Sequence, residues 1–127
     1  MKKTNFILVL SLIFSTTLFG QKTFTLSSKD LGGEASKIQE FNGFGCTGNN
    51  QSPQLSWKNV PDGTKSFAIT MYDPDAPTGS GFWHWLVFDI PATSSELVTN
   101  AGNVLLNLAP KGAIQSKTDY GINGFGG

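Results

Sequence analysis

Two short runs with the look of strands stand on either side of a loop that no regular element can cross, at residues 73–81. The first run, residues 65–72, places Phe67, Ile69 and Met71 on one face, the period of two that an extended backbone imposes. The second, residues 82–90, is apolar on both faces, with Trp83, Trp85 and Val87 on one and Leu86 and Phe88 with His84 on the other. That pattern predicts a strand covered from both sides. Between them stand Pro74 and Pro77, which lack the N–H a ladder needs, and Gly79 and Gly81, which favour turns.

The remainder of the chain repeats this punctuation. Residues 22–27 alternate, residues 55–57 read as a short strand after a loop, and Pro61, Asp62 and Gly63 signal a turn, proline presetting one dihedral. Residues 94–100 suggest a brief helical turn and residues 101–106 a short strand, after which the chain is polar and glycine-rich. Short strands, frequent proline and glycine turns and no heptads or repeats predict a mainly β fold, an antiparallel sandwich. At 127 residues and 39% hydrophobic, the chain suits one domain with a packed core.

The first twenty residues read differently. Lys2 and Lys3 precede an apolar run over residues 6–14, and Gly20 precedes Gln21. This is the layout of a secretory signal peptide, 1–20, cleaved near Gly20 to leave a domain of residues 21–127 and a periplasmic or secreted protein. The apolar run is shorter than the roughly 20 residues that span a bilayer. Without Lys2 and Lys3, seven lysines face nine acids, and there is no arginine, which argues against a nucleic-acid partner. Cys46 is the only cysteine and reads as a small buried apolar residue, with a free thiol, an intermolecular bond or a missing partner as alternatives.

Chemically capable groups concentrate in the loop and the strand after it: Asp73, Asp75 and the only histidine, His84. The aspartates read either as caps on loop N–H groups or as carboxylates turned into one cavity. A carboxylate on one ring nitrogen of His84 would fix its tautomer and leave the other nitrogen to donate toward an anion. The same three residues could begin a divalent-metal site, but the remaining acids are scattered singly, so no metal or cofactor is expected. Ser80 lacks a nucleophile-elbow context, and no phosphate loop or dinucleotide fingerprint occurs. The glycine- and asparagine-rich residues 41–51 could approach a ligand through bare backbone, or form a surface loop anchored by Phe41 and Phe44.

These residues resemble the phosphatidylethanolamine-binding protein family, in particular its bacterial Raf-kinase-inhibitor-like branch. Matching stretches, in the family's order, are residues 50–57, 61–68, 72–77 and 84–91, within a likeness that runs from about Phe24 to Gly127. The resemblance implies a β-sandwich with a small pocket at one edge that binds anionic, phosphate-bearing groups such as phospholipid heads. On it, Asp73, Asp75, His84 and Phe125 are the ligand-binding residues. It also implies that relatives continue beyond the Gly-Phe-Gly-Gly ending into elements supplying a second pocket histidine, so that the sandwich here is incomplete on its C-terminal side. The expected function is binding without turnover. A protein-interaction role, with a protease as partner, is the alternative, and an acid–base hydrolase using Asp73, Asp75 and His84 the third.

Overall fold

A computed structural model describes residues 22–127, so the signal-peptide segment lies outside the described residues. Among the described residues, six strands form two antiparallel sheets of three. One contains β1 (Thr25–Ser27), β2 (Leu55–Lys58) and β5 (Glu96–Leu97) in the order β1-β2-β5, and the other β3 (Ser66–Asp73), β4 (Phe82–Pro91) and β6 (Ile114–Gln115) in the order β3-β4-β6.

The two sheets close on each other through the faces that the alternation marks. Trp85, Val87 and Ile90 of β4 meet Leu55 and Trp57 of β2 and Leu97 of β5, with Ala101 and Phe125 completing the buried cluster. Phe67, Ile69 and Met71 pack on it from β3, and the Phe67 ring lies 5.1 Å from that of Trp57, across the sandwich. Burying an aromatic or branched aliphatic side chain contributes about 1.5–3 kcal/mol, so this cluster is what holds the layers together.

β4 departs from the even pleat twice. Phe67 and Ile69 pair with Ile90 and Val87, and Met71 and Tyr72 pair with Trp85 and Trp83, so β4 carries one extra residue at each step. The first bulge includes Asp89 in a left-handed conformation (φ 53°), and the second inserts His84. The second bulge overturns the expectation that Trp83 shares a face with Trp85 and Val87. Trp85 is fully buried, whereas Trp83 turns outward against Tyr72, ring centroids 4.5 Å apart.

Nor is β4 covered on both sides among the described residues. Tyr72, Trp83, Phe88 and Ile114 all stay partly exposed on the outer face of the β3-β4-β6 sheet.

Other local expectations are also corrected. Residues 94–100 hold β5 rather than a helical turn, and Val104–Leu106 is a 3-10 turn capped by Asn103, whose side chain accepts from the Leu105 N–H. The Thr64 N–H donates to the Pro61 carbonyl, which makes Pro61 the first residue of its turn and leaves Gly63 the positive φ of 81°. Cys46 is exposed, not buried.

Candidate binding pocket

β3 and β4 are joined by the Asp-Pro-Asp-Ala-Pro loop, so Asp73 at the end of β3 comes opposite Phe82 at the start of β4. The Asp73 carboxylate accepts the Asp75 N–H at 2.9 Å. That is the capping role of a short acidic side chain beside prolines, and it tightens the turn. The Tyr72 hydroxyl donates to the Ser80 carbonyl at 2.6 Å and closes the loop from its other side.

His84, at the bulge, is held by backbone and not by a carboxylate. Its Nδ1 lies 2.6 Å from the Gly126 carbonyl oxygen, and the Gly126 N–H returns a bond to the His84 carbonyl at 2.9 Å. A carbonyl only accepts, so Nδ1 carries the hydrogen and Nε2 is the nitrogen left for a ligand.

The final residues are tied down as well. The Gly127 N–H donates to the Asn50 side-chain oxygen at 3.0 Å, and the Gly127 carbonyl accepts from Phe41 N–H at 2.8 Å and from the Tyr120 hydroxyl at 3.0 Å. The Asn50 amide also donates to the Phe125 carbonyl. Asn50 has a positive φ of 50°, a conformation asparagine accepts more readily than most residues. Asn50 opens one of the stretches that carry the family resemblance, but nothing in the sequence indicates that it positions the chain's last residues.

A cavity of about 570 Å³ opens between these elements, with a predominantly apolar lining. Asp73, His84 and Phe125 line it, together with Pro53, Met71 and Tyr72. Asp75 does not. Phe125 is buried, its ring edge-on to Trp85 at 5.7 Å, so it presents little more than an apolar surface.

The remaining lining comes from residues 31–40 and Gly127. Ser36, Lys37, Gln39 and Glu40 were not singled out from the sequence, because a polar loop gives no sign of which cavity it borders. Lys37 Nζ is 2.9 Å from Glu40 Oε1. That bond, aided by the Cys46 thiol and the Thr47 N–H against the opposing effect of burial, holds the Glu40 carboxyl below its ordinary pKa. The reciprocal effect of Glu40, with burial second, pushes the Cys46 thiol up.

Beside the cavity, Phe41, Phe44, Phe82 and Tyr120 stack into an aromatic cluster, and the Phe82 ring lies 5.1 Å from that of His84. No group of three or more His, Cys, Asp and Glu side chains placed to hold a metal occurs among the described residues.

The sequence matches the family described as phosphatidylethanolamine-binding protein over residues 15–127, nearly the whole chain. The chain belongs to that family. Among curated relatives, the UPF0098 protein YbcL of Escherichia coli is 46% identical over 124 residues, which are 94% of this chain and 68% of YbcL. The UPF0098 protein YbhB of the same organism is 52% identical over 87 residues, 68% of this chain and 54% of YbhB. The chain thus spans between about half and two thirds of the length of these relatives.

The fold agrees. The crystal structure of E. coli YbcL, described as a new member of the mammalian family, superposes with a TM-score of 0.79 at 51% identity, covering 82% of this chain and 65% of that one. A Chlamydia trachomatis homologue, CT736, matches with a TM-score of 0.63 at 26% identity, covering 80% of this chain and 62% of that one. The mainly β, two-sheet architecture is therefore that of a phosphatidylethanolamine-binding protein.

Proposed function

We propose that the cavity beside His84 binds the charged head of a small phosphorylated or otherwise anionic molecule, without turnover, and that the protein does so after export. The observation that carries this reading is the histidine itself. With Nδ1 committed to the Gly126 carbonyl, Nε2 is the one imidazole nitrogen available in a largely apolar cavity. In such surroundings a charge-assisted hydrogen bond is strong. The apolar lining from Pro53, Met71 and Phe125 suits a hydrocarbon portion next to that head. The His84 ring engages a backbone carbonyl instead of a serine or cysteine, an arrangement suited to holding a ligand and not to activating a nucleophile. Export is supported by the charge and apolar pattern of residues 1–20.

Calorimetric titration of inorganic sulfate and phosphate into wild type and His84→Ala tests this reading. His84→Ala should lose roughly tenfold or more in affinity, the scale of a hydrogen bond to a charged group. Equal responses from wild type and His84→Ala would sink the proposal.

A further inference from the structure

We propose that Asn50 is a positioning residue for the candidate anion site: its side-chain amide holds the two peptide groups around Gly126 and so dictates which nitrogen of His84 carries the hydrogen. This rests on the reading of the cavity as a ligand site and deepens it, by naming what keeps Nε2 free for the ligand.

The bonds around Gly126 fall into two sets. Toward β4, the Gly126 N–H donates to the His84 carbonyl at 2.9 Å, and the Gly126 carbonyl oxygen lies 2.6 Å from His84 Nδ1. Toward the loop before β2, the Gly127 N–H donates to Asn50 Oδ1 at 3.0 Å, and Asn50 Nδ2 donates to the Phe125 carbonyl at 3.4 Å. These four groups are the ends of two peptide planes. Phe125 C=O and Gly126 N–H share one, Gly126 C=O and Gly127 N–H the other, and no peptide bond among the described residues is cis. In a trans peptide the C=O and N–H point in opposite directions from a rigid plane. Asn50 therefore grips one end of each plane, and His84 meets the other end.

A side-chain amide carries an acceptor and a donor side by side on one carbon, the complement of what the two peptides present. Asn50 is itself immobilised. Its N–H donates to the Glu40 carbonyl at 2.8 Å, and the N–H groups of Asn49 and Gln51 donate to the carbonyls of Lys37 and Ile38 at 2.9 and 3.0 Å. The peptide between Gly126 and Gly127 needs such a hold. Neither residue has the Cβ that restricts a backbone, so nothing in their covalent structure keeps that plane from turning over. A turned plane would aim the Gly127 N–H at His84 Nδ1, which would then have to accept, with the hydrogen on Nε2. A ring held that way has no place for a hydrogen on Nδ1. It cannot carry the charge that a charge-assisted bond to an anion requires.

The test reads the ring directly. His84 is the only histidine, so its two ring nitrogens give one pair of 15N signals, whose shifts in the neutral ring report the tautomer. Wild type should carry the hydrogen on Nδ1. Asn50→Gly accepts the positive φ of 50° and keeps the backbone bond to Glu40, so it removes the amide alone. Its ring signals should move toward hydrogen on Nε2, and calorimetry should show sulfate binding weakened roughly three- to tenfold. Asn50→Ser, whose hydroxyl is too short to span both peptide groups, should do the same. Asn50→Asp keeps an acceptor for the Gly127 N–H and should retain the wild-type tautomer.

The difference between Asn50→Gly and Asn50→Asp separates a hold on the peptide from general support of the loop. Ring shifts that move equally in both variants overturn the proposal, as do a wild-type ring with its hydrogen on Nε2 and sulfate affinity that ignores a changed tautomer. Loss of folding in both Asn50→Gly and Asn50→Ser overturns it too, because the role is then structural. Unchanged ring shifts in Asn50→Gly with normal sulfate binding sink this inference alone. If wild type binds neither sulfate nor phosphate, the reading of the cavity fails and the ligand half of this inference fails with it.

Discussion

Cys46 illustrates how a neighbour sets the chemistry of a single residue. Its thiol is exposed, yet the Glu40 carboxylate, and to a smaller degree burial, raise its pKa above the ordinary value. The nucleophile is the thiolate, so exposure here does not bring reactivity. Iodoacetamide should alkylate Cys46 more slowly than a free thiol near neutral pH, and Glu40→Gln should speed the reaction. Equal rates in wild type and variant would refute the coupling. Nothing in the sequence around Cys46 announces it, because Glu40 lies six positions away and is brought back by the loop. His84 and Asp73 tell the converse story. Their residue types in one short stretch were enough to nominate them, but the partner of the ring nitrogen was not legible. A carboxylate was expected there, and the Gly126 carbonyl stands in its place. Backbone carbonyls are present at every position, so composition carries no trace of which one is used.

At the scale of elements, strands that earn their burial locally were readable, and strands that exist only through their neighbours were not. β3 shows the full alternation of half-buried and exposed residues over eight positions, as its sequence pattern required. β5 and β6 are two residues each, paired to β2 and β4, and so short a segment has no period to detect. The bulge at His84 belongs to the same class, since one inserted residue in a run of aromatic and aliphatic side chains leaves the composition unchanged. It is nonetheless what separates Trp83 from Trp85 and sets the histidine beside the cavity.

The segment that ends in Phe125 depends on a close approach. The Gly102 N–H donates to the Ser52 hydroxyl at 2.8 Å, and a Cβ at Gly102 would stand 2.3 Å from Phe125 Cβ and 2.9 Å from Ser52 Cβ. Gly102→Ala should destabilise the fold by about 1–3 kcal/mol through overpacking, read as a lowered denaturation midpoint at unchanged m-value. A midpoint equal to wild type would show that the loop yields freely.

Across the whole molecule, Asp30 stitches together three distant parts of the chain. One of its oxygens accepts from the Gln54 N–H at 2.7 Å and from the Thr99 hydroxyl at 2.5 Å, joining the loops before β2 and after β5. The Thr99 bond first and the Gln54 bond second hold its carboxyl below the ordinary value, with burial opposing and Lys29 helping. A carboxyl lowered on folding stabilises the native state above its unfolded pKa of about 3.9, and that contribution is lost as the pH falls through the folded value. Asp30→Ala should therefore cost about 1 kcal/mol near neutral pH, and the difference from wild type should shrink below about pH 4. A gap in melting temperature that persists undiminished into strong acid would contradict this assignment.

The two-sheet mainly β architecture and the clustering of capable side chains around the Asp-Pro-Asp-Ala-Pro loop were determined by the sequence itself, because side-chain period, proline and glycine act within a few residues. Tertiary structure alone decided which face of β4 is buried and that residues 31–40 border the same cavity as His84. It also decided that Glu40 lines that cavity and Asp75 does not. Those outcomes depend on register, bulges and loop closure between segments tens of residues apart, and no local pattern encodes the meeting of two such segments.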